Sequence, residues 1–265
     1  MTTARFRTLF LVSTLVLLPL GAKADTASWT LNLQATPTKR TVVVPVLMYH
    51  YVRPLYGLDV TGTRLSVSPK RFAAQMDELV AKGYQTITPA ELDAALTKGA
   101  GLPSKPILLT FDDGYYCQYT EALPVLQRLN LQATFFIVPA FMSRRDYMYP
   151  KTIQALDATG LATIAAHSEH HLDLRYLPLK KLRAEIQTSK ADLEKLTNHQ
   201  ILDFAYPFGG FNKTVEREIQ AAGFRTAFST LYGSRQSSST IFELRRIRVM
   251  NGSSVDLLVR NASKR

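Results

Sequence analysis

Ile107-Leu108-Leu109-Thr110-Phe111-Asp112-Asp113-Gly114 is an unbroken apolar run that ends in two carboxylates and a glycine. A short apolar run of this kind reads as a buried strand of a parallel sheet. Its acids then stand at the carboxyl end of the strand, where parallel sheets and barrels gather their sites. A second run, Leu161-Ala162-Thr163-Ile164-Ala165-Ala166, ends the same way, in His167-Ser168-Glu169-His170-His171. Asp-Asp-Gly alone also reads as a turn, and histidines four apart also suit a solvated helix face. The two strings together say more, because three of the chain's five histidines crowd into one pentapeptide. An Asp oxygen with two imidazoles suits zinc or a similar first-row dication, with one position open to water. A second carboxylate beside such a ligand is what a water-activating site needs as general base. The chain reads as a metal-dependent hydrolase.

Outward from these strings, strand-like and helix-like periodicities alternate in the manner of βα units. Thr41 to Met48 reads as a strand interrupted by Pro45 and leads into Tyr49-His50-Tyr51. Ser68-Pro69 and Thr88-Pro89 open helices, running to Lys82 and to about Lys98. Further helices are expected over 120–129, 151–158, 178–196 and 213–222. Strands are expected over 133–138, 203–206, 226–229 and 246–249. No internal repeat or second domain is evident, so the expected fold is one α/β domain built on parallel strands.

The ends and the composition bear on compartment. Met1 to Ala24 carries Arg5 and Arg7, then the apolar run Leu9 to Leu20, then Ala22-Lys23-Ala24. That is the layout of a secretory signal peptide, too short in its apolar part for a comfortable membrane span. A flexible lead over 25–40 and a catalytic domain over 41–265 would follow, in the periplasm or outside the cell. Cys117 is the sole cysteine, so no intramolecular disulfide forms, and packing suits it better than a nucleophilic role. The formal charge is +11; a mature chain lacking Arg5, Arg7 and Lys23 carries three fewer, +8. Basic pairs such as Lys180-Lys181 and Arg245-Arg246 are scattered and lack aromatic interleaving, so nucleic acid is not the expected partner. An anionic envelope surface, or a polymer with acidic groups, suits the charge better, and association with the envelope or the export machinery is a further expectation.

Thr-Phe-Asp-Asp-Gly, then His-Ser-x-x-His with Asp173-Leu174, then Phe204-Ala205-Tyr206-Pro207-Phe208-Gly209 resembles the polysaccharide deacetylases of carbohydrate esterase family four, the NodB homology domain. Order and spacing match from about Val46 to about Val249. The resemblance implies a distorted, incomplete (β/α) barrel of parallel strands and metal-dependent removal of acetyl groups from sugars. Asp113, His167 and His171 would hold the divalent metal, most simply Zn2+, with His170 in place of His171 as the alternative pairing. Asp112 would be the general base, and the backbone N–H of Phe208 would stabilise the oxyanion. Tyr206, Pro207 and Gly209 would shape the substrate loop, Ser168 would hold its own loop by bonding backbone, and Glu169 reads as a solvated acid.

Three departures from the family pattern matter, the first being that the usual later Trp-Asp motif is not evident, since Trp29 is the only tryptophan. Ala205 stands where many members have an arginine bonded to the base, and no histidine follows His199 to act as the late acid. The string Val46-Leu47-Met48-Tyr49-His50 is similar to that of the biofilm poly-N-acetylglucosamine deacetylases, in which the acid histidine comes early and the arginine is missing. Placement in that branch makes His50 the acid and favours a β-1,6-linked N-acetylglucosamine polymer as substrate. An O-acetyl esterase, a deacetylase of peptidoglycan or chitin fragments, and a non-catalytic glycan-binding member are the alternatives.

Overall fold

The computed structural model describes residues 39–55, 57 and 60–263. The expected signal peptide and most of the expected lead lie outside the described residues. Arg40, assigned to that flexible lead, is in fact tied down. Its backbone N–H donates to Ser238 Oγ at 3.0 Å and its guanidinium to the Thr97 carbonyl at 2.8 Å.

From the amino end of the described residues, β1 (Thr41–Val43) and β2 (Val46–Tyr49) flank Pro45, which has no N–H to give to a ladder. Next come β3 (Tyr51–Val52), α1 (Val60–Leu65) and β4 (Ser66–Val67). Helix α2 (Pro69–Ala81) starts with Ser68 accepting from the Arg71 N–H. After β5 (Gln85–Thr86), α3 (Pro89–Lys98) opens with a full capping box between Thr88 and Glu91. The acidic strand is β6 (Pro106–Phe111), followed by a wide turn over Gln118–Ala122 and α4 (Leu123–Leu129). Pro124, lacking an N–H, restarts the helix there and divides what the sequence suggests is one segment. The chain continues through β7 (Ala133–Ile137), α5 (Pro150–Asp157), the histidine strand β8 (Ala162–Ala166), α6 (Leu179–Thr197), β9 (Asp203–Ala205) and α7 (Lys213–Ala221). It closes with β10 (Thr226–Tyr232), β11 (Arg235–Ser237), β12 (Leu244–Arg248) and α8 (Val255–Ala262). The sequence pattern did not anticipate β3, α1, β4, β5, β11 or α8.

Seven parallel strands run in the order β2-β12-β10-β9-β8-β7-β6, and β2 pairs with β6 (Val46 with Leu108, Tyr49 with Phe111) to close the ring. The expected parallel barrel is therefore one strand short of the eight-stranded form, yet its hydrogen-bonded circuit is complete. Strand β5 attaches to β6 alongside the ring, and β1 pairs antiparallel with β11.

Period-two alternation divides each barrel strand between two cores. One parity puts Val46, Leu108, Phe136, Ala165, Ala205, Phe228 and Leu244 in a single buried cluster that fills the barrel. The other puts Leu47, Leu109, Phe111, Phe135, Ile164, Phe204 and Ile247 in a second cluster with Phe72 and Met76 of α2 and Ile186 and Leu193 of α6. Continued one step past their strands, the inward parities of β6 and β8 fall on Asp112 and His167. The barrel thus aims both motifs at its carboxyl mouth.

Candidate active site

At that mouth Asp113, His167 and His171 bring one donor atom each to within 4.8 Å of one another. His167 Nε2 lies 3.5 Å and His171 Nε2 3.2 Å from Asp113 Oδ1. The other ring nitrogen of His167, Nδ1, lies 2.7 Å from the Ala205 carbonyl, which can only accept. Nδ1 therefore carries the proton and Nε2 presents its lone pair to the cluster. Asp113 Oδ1 is buried and makes no hydrogen bond of good geometry. A buried oxygen facing two imidazole nitrogens, with no donor between them, fits a divalent cation. Burial pushes the His167 pKa down to about 4, so its ring is neutral as a ligand must be. Burial alone would raise the Asp113 pKa; the His171 and His167 imidazoles outweigh it and hold the carboxyl well below its ordinary value.

The backbone is strained where these groups are presented. Asp113, Ser168, His171 and Phe208 all take left-handed φ values, of 74°, 59°, 56° and 59°. Each such conformation costs a non-glycine residue roughly 1–3 kcal/mol and persists only where its surroundings impose it. For the histidine loop those surroundings are visible. The His171 N–H donates to Ser168 Oγ at 3.0 Å. Glu185 of α6 accepts from the His170 N–H at 2.8 Å and meets the His170 ring at 2.9 Å. His170 is thereby turned away from the cluster. Glu169 is not the solvated acid the sequence suggested. It is half-buried with Oε2 unpartnered, and burial together with Asp192 and Glu185 pushes its pKa up to about 7.

Asp112 is buried, and Arg246 of β12 grips it with two hydrogen bonds, of 2.6 and 2.9 Å. The same guanidinium donates to the Ser229 carbonyl at 2.8 Å and lies 5.5 Å over the Phe136 ring inside the barrel. Arg245-Arg246 is thus no surface basic pair: Arg246 is 1 % exposed. It supplies the charge that Ala205 cannot. Burial would raise the Asp112 pKa, but Arg246, His167 and His50 prevail and hold it below the usual carboxylate value. Buried Gln118 donates one amide nitrogen to the His50 carbonyl at 2.9 Å and to the Asp112 carbonyl at 2.6 Å, which joins the early strand to the acidic motif. His50 Nε2 stands 3.9 Å from Asp112 Oδ2, and burial lowers its pKa despite both carboxylates.

His50, Asp112, Asp113, His167 and His171 share a cavity of about 330 Å3, walled also by Phe208, Gly209, Thr230 and Arg248. Phe208 is 64 % exposed and packs edge-on against His171, ring centres 4.7 Å apart. Gly209 is obligatory there: φ is +71°, and a Cβ would fall 2.0 Å from Thr230 Oγ1. Tyr206 reaches the cavity wall, but its fully buried ring is spent on the core and its hydroxyl on the Phe242 carbonyl at 3.0 Å. Pro207 is buried and is not among the lining residues. The sequence reading missed Arg246, Gln118, Glu185, Thr230 and Arg248. For Arg246 and Arg248 a signal existed, since both share the inward parity of Leu244.

Residues 99–227 match the polysaccharide deacetylase family. A Bacillus subtilis protein named as a polysaccharide deacetylase, YxkH, is 29% identical over 230 residues, covering 87% of this chain and 77% of its own length. The poly-β-1,6-N-acetyl-D-glucosamine N-deacetylase of Staphylococcus aureus is 26% identical over 178 residues, which span 62% of this chain and 61% of that enzyme. The Streptococcus pyogenes deacetylase PplD, solved with acetate, has a similar fold. Its TM-score is 0.77 at 24% identity, over 86% of this chain and all of that one.

Proposed function

This chain belongs to the polysaccharide deacetylase family, and from that premise we propose that it is a metal-dependent N-deacetylase of an N-acetylglucosamine polysaccharide. A β-1,6-linked polymer is the favoured substrate. The observation that carries this reading is the meeting, in one cavity, of an Asp-His-His donor set with a buried, arginine-held carboxylate and an early histidine. The S. aureus relative favours the linkage, as does the string ending in His50.

Asp113, His167 and His171 would hold the metal, Zn2+ being the natural choice for one carboxylate and two imidazoles. When bound, it polarises an acetyl carbonyl and lowers the pKa of water beside it. The chain's own groups do the rest. Asp112, held ionised by Arg246, accepts a proton from the attacking water. The Phe208 N–H, on a left-handed backbone at the cavity wall, would donate to the developing oxyanion. His50, which lines the same cavity 3.9 Å from Asp112, would give a proton to the departing amine. The arginines and apolar run of residues 1–24 support export, and among the described residues no helix is long and apolar enough to cross a membrane.

The test is product analysis by mass spectrometry on a matched panel: a β-1,6-linked N-acetylglucosamine pentamer, its β-1,4 counterpart, a peptidoglycan fragment and acetylated xylan. Acetate release with a free amine on the β-1,6 pentamer is the expected result. Activity confined to acetylated xylan would make the protein an O-acetyl esterase instead.

A further inference from the structure

Arg248 is the second inward-facing arginine of β12. It shares the parity of Leu244 and Arg246 and stands one inward step nearer the carboxyl mouth than Arg246, about 6–7 Å along the strand. Both arginines line the catalytic cavity. Arg246 is fully engaged there, by the Asp112 carboxylate, the Ser229 carbonyl and the Phe136 face. Arg248 is not. Among the described residues its guanidinium makes neither a hydrogen bond nor an ion pair.

The guanidinium is nevertheless half-buried. Burial, with the like charges of Arg246 and Arg64, holds its pKa below the ordinary arginine value against the pull of Asp112 and Asp113. A cation taken partly out of water without a counter-ion is costly, so one kept at the cavity wall marks a place for an anion. The wall itself supplies none to spare. Its only acids are Asp112 and Asp113. Asp112 is matched by Arg246, and Asp113 is turned toward the His167 and His171 imidazoles.

We propose that Arg248 is a specificity-determining residue that takes an acidic group of the glycan, a carboxylate foremost, beside the acetamide under attack. A guanidinium presents a planar fork of N–H donors, which a carboxylate meets with two parallel hydrogen bonds. A neutral sugar offers it hydroxyls alone and leaves the charge uncompensated. The assignment rests on the deacetylase reading above and deepens it: the preferred polymer carries acid groups.

The experiment compares a neutral β-1,4-linked N-acetylglucosamine tetramer with two acidic tetramers of the same linkage. One is oxidised at C6 to carboxylates, and the other is a peptidoglycan tetrasaccharide with lactyl carboxylates at O3. Binding is measured by titration calorimetry in a His50→Ala background, which slows turnover and leaves the carboxylates and arginines of the cavity in place. Kinetics are measured with His50 intact. At least one acidic tetramer should bind about tenfold more tightly than the neutral one, the scale of a single charge-assisted hydrogen bond. Its KM should be lower by a similar factor. Arg248→Gln should bring acidic and neutral tetramers to equal affinity, Arg248→Lys should keep part of the preference, and Lys180→Gln, which removes an exposed charge, should keep all of it. No acid preference in the parent, which no variant's folding can obscure, would overturn the assignment. So would a preference that survives Arg248→Gln or falls equally in Lys180→Gln. Weaker inhibition by free acetate in Arg248→Gln, with the tetramer preference unchanged, would give the guanidinium to the product and also overturn it. Arg248-dependent binding of an acidic tetramer that is never deacetylated would leave the anion site standing and refute the N-deacetylase reading.

Discussion

Replacing Arg246 by methionine keeps most of the side-chain volume and removes only the charge and its donors. Asp112 would then lose contacts of 2.6 and 2.9 Å while remaining as deeply buried as before. Breaking a buried pair from one side costs about 3–5 kcal/mol, because the remaining charge has neither water nor partner. Against a typical total stability of about 5–15 kcal/mol, that is a large share. The native Asp112 pKa is depressed, so its ionic contribution is present above the unfolded value of about 3.9 and is lost as pH falls through the native one. The difference between parent and variant should therefore be full at pH 7 and shrink below about pH 4. Urea denaturation at both pH values measures it, with Asp112→Asn and the double variant completing a cycle. The double variant should be clearly more stable than the sum of the two single losses implies. Additive losses, or an Arg246→Met penalty below about 1 kcal/mol at pH 7, would show that the pair does not hold the carboxylate as argued.

Three further outcomes are expected. His171→Ala should lose about one bound divalent ion per chain by elemental analysis, and His170→Ala, whose ring is held by Glu185, should keep it. His50→Ala should lower amide hydrolysis by about 10²-fold or more while sparing an aryl acetate, whose leaving group needs little protonation. Equal losses on both substrates would make His50 a packing residue at its strand end rather than the acid. Gly209→Ala should be folded poorly or lose activity, because both its φ and the Thr230 side chain oppose a Cβ. Normal kcat and melting temperature in that variant would mean that the loop readily repositions.

What could be read along the chain was whatever depends on near neighbours. Ser68 and Thr88 cap their helices through backbone groups three residues away, so α2 and α3 were legible from composition alone. The apolar runs of β6 and β8 carry their own termination signals, and strand parity extends to Asp112 and His167 without knowledge of the partner strands. The Asp-His-His set was legible from the close spacing of Asp113 to that strand end and of His171 to His167. Closure of the ring through β2 and β6 was not, since it depends on register between strands some sixty residues apart. Arg246 is the plainest case: it lies 134 residues beyond Asp112 and looks in sequence like half of a solvated basic pair. Only the arrangement of β12 between β2 and β10 aims it down the barrel at that carboxylate. Glu185 likewise read as one more polar residue on an amphipathic helix, until packing set α6 beneath the histidine loop. The sequence by itself marked which groups could carry the chemistry, because their types and local spacing are chemical facts. The tertiary structure alone decided which distant charges hold them, because the cost of burying a charge depends on neighbours that chain order does not specify.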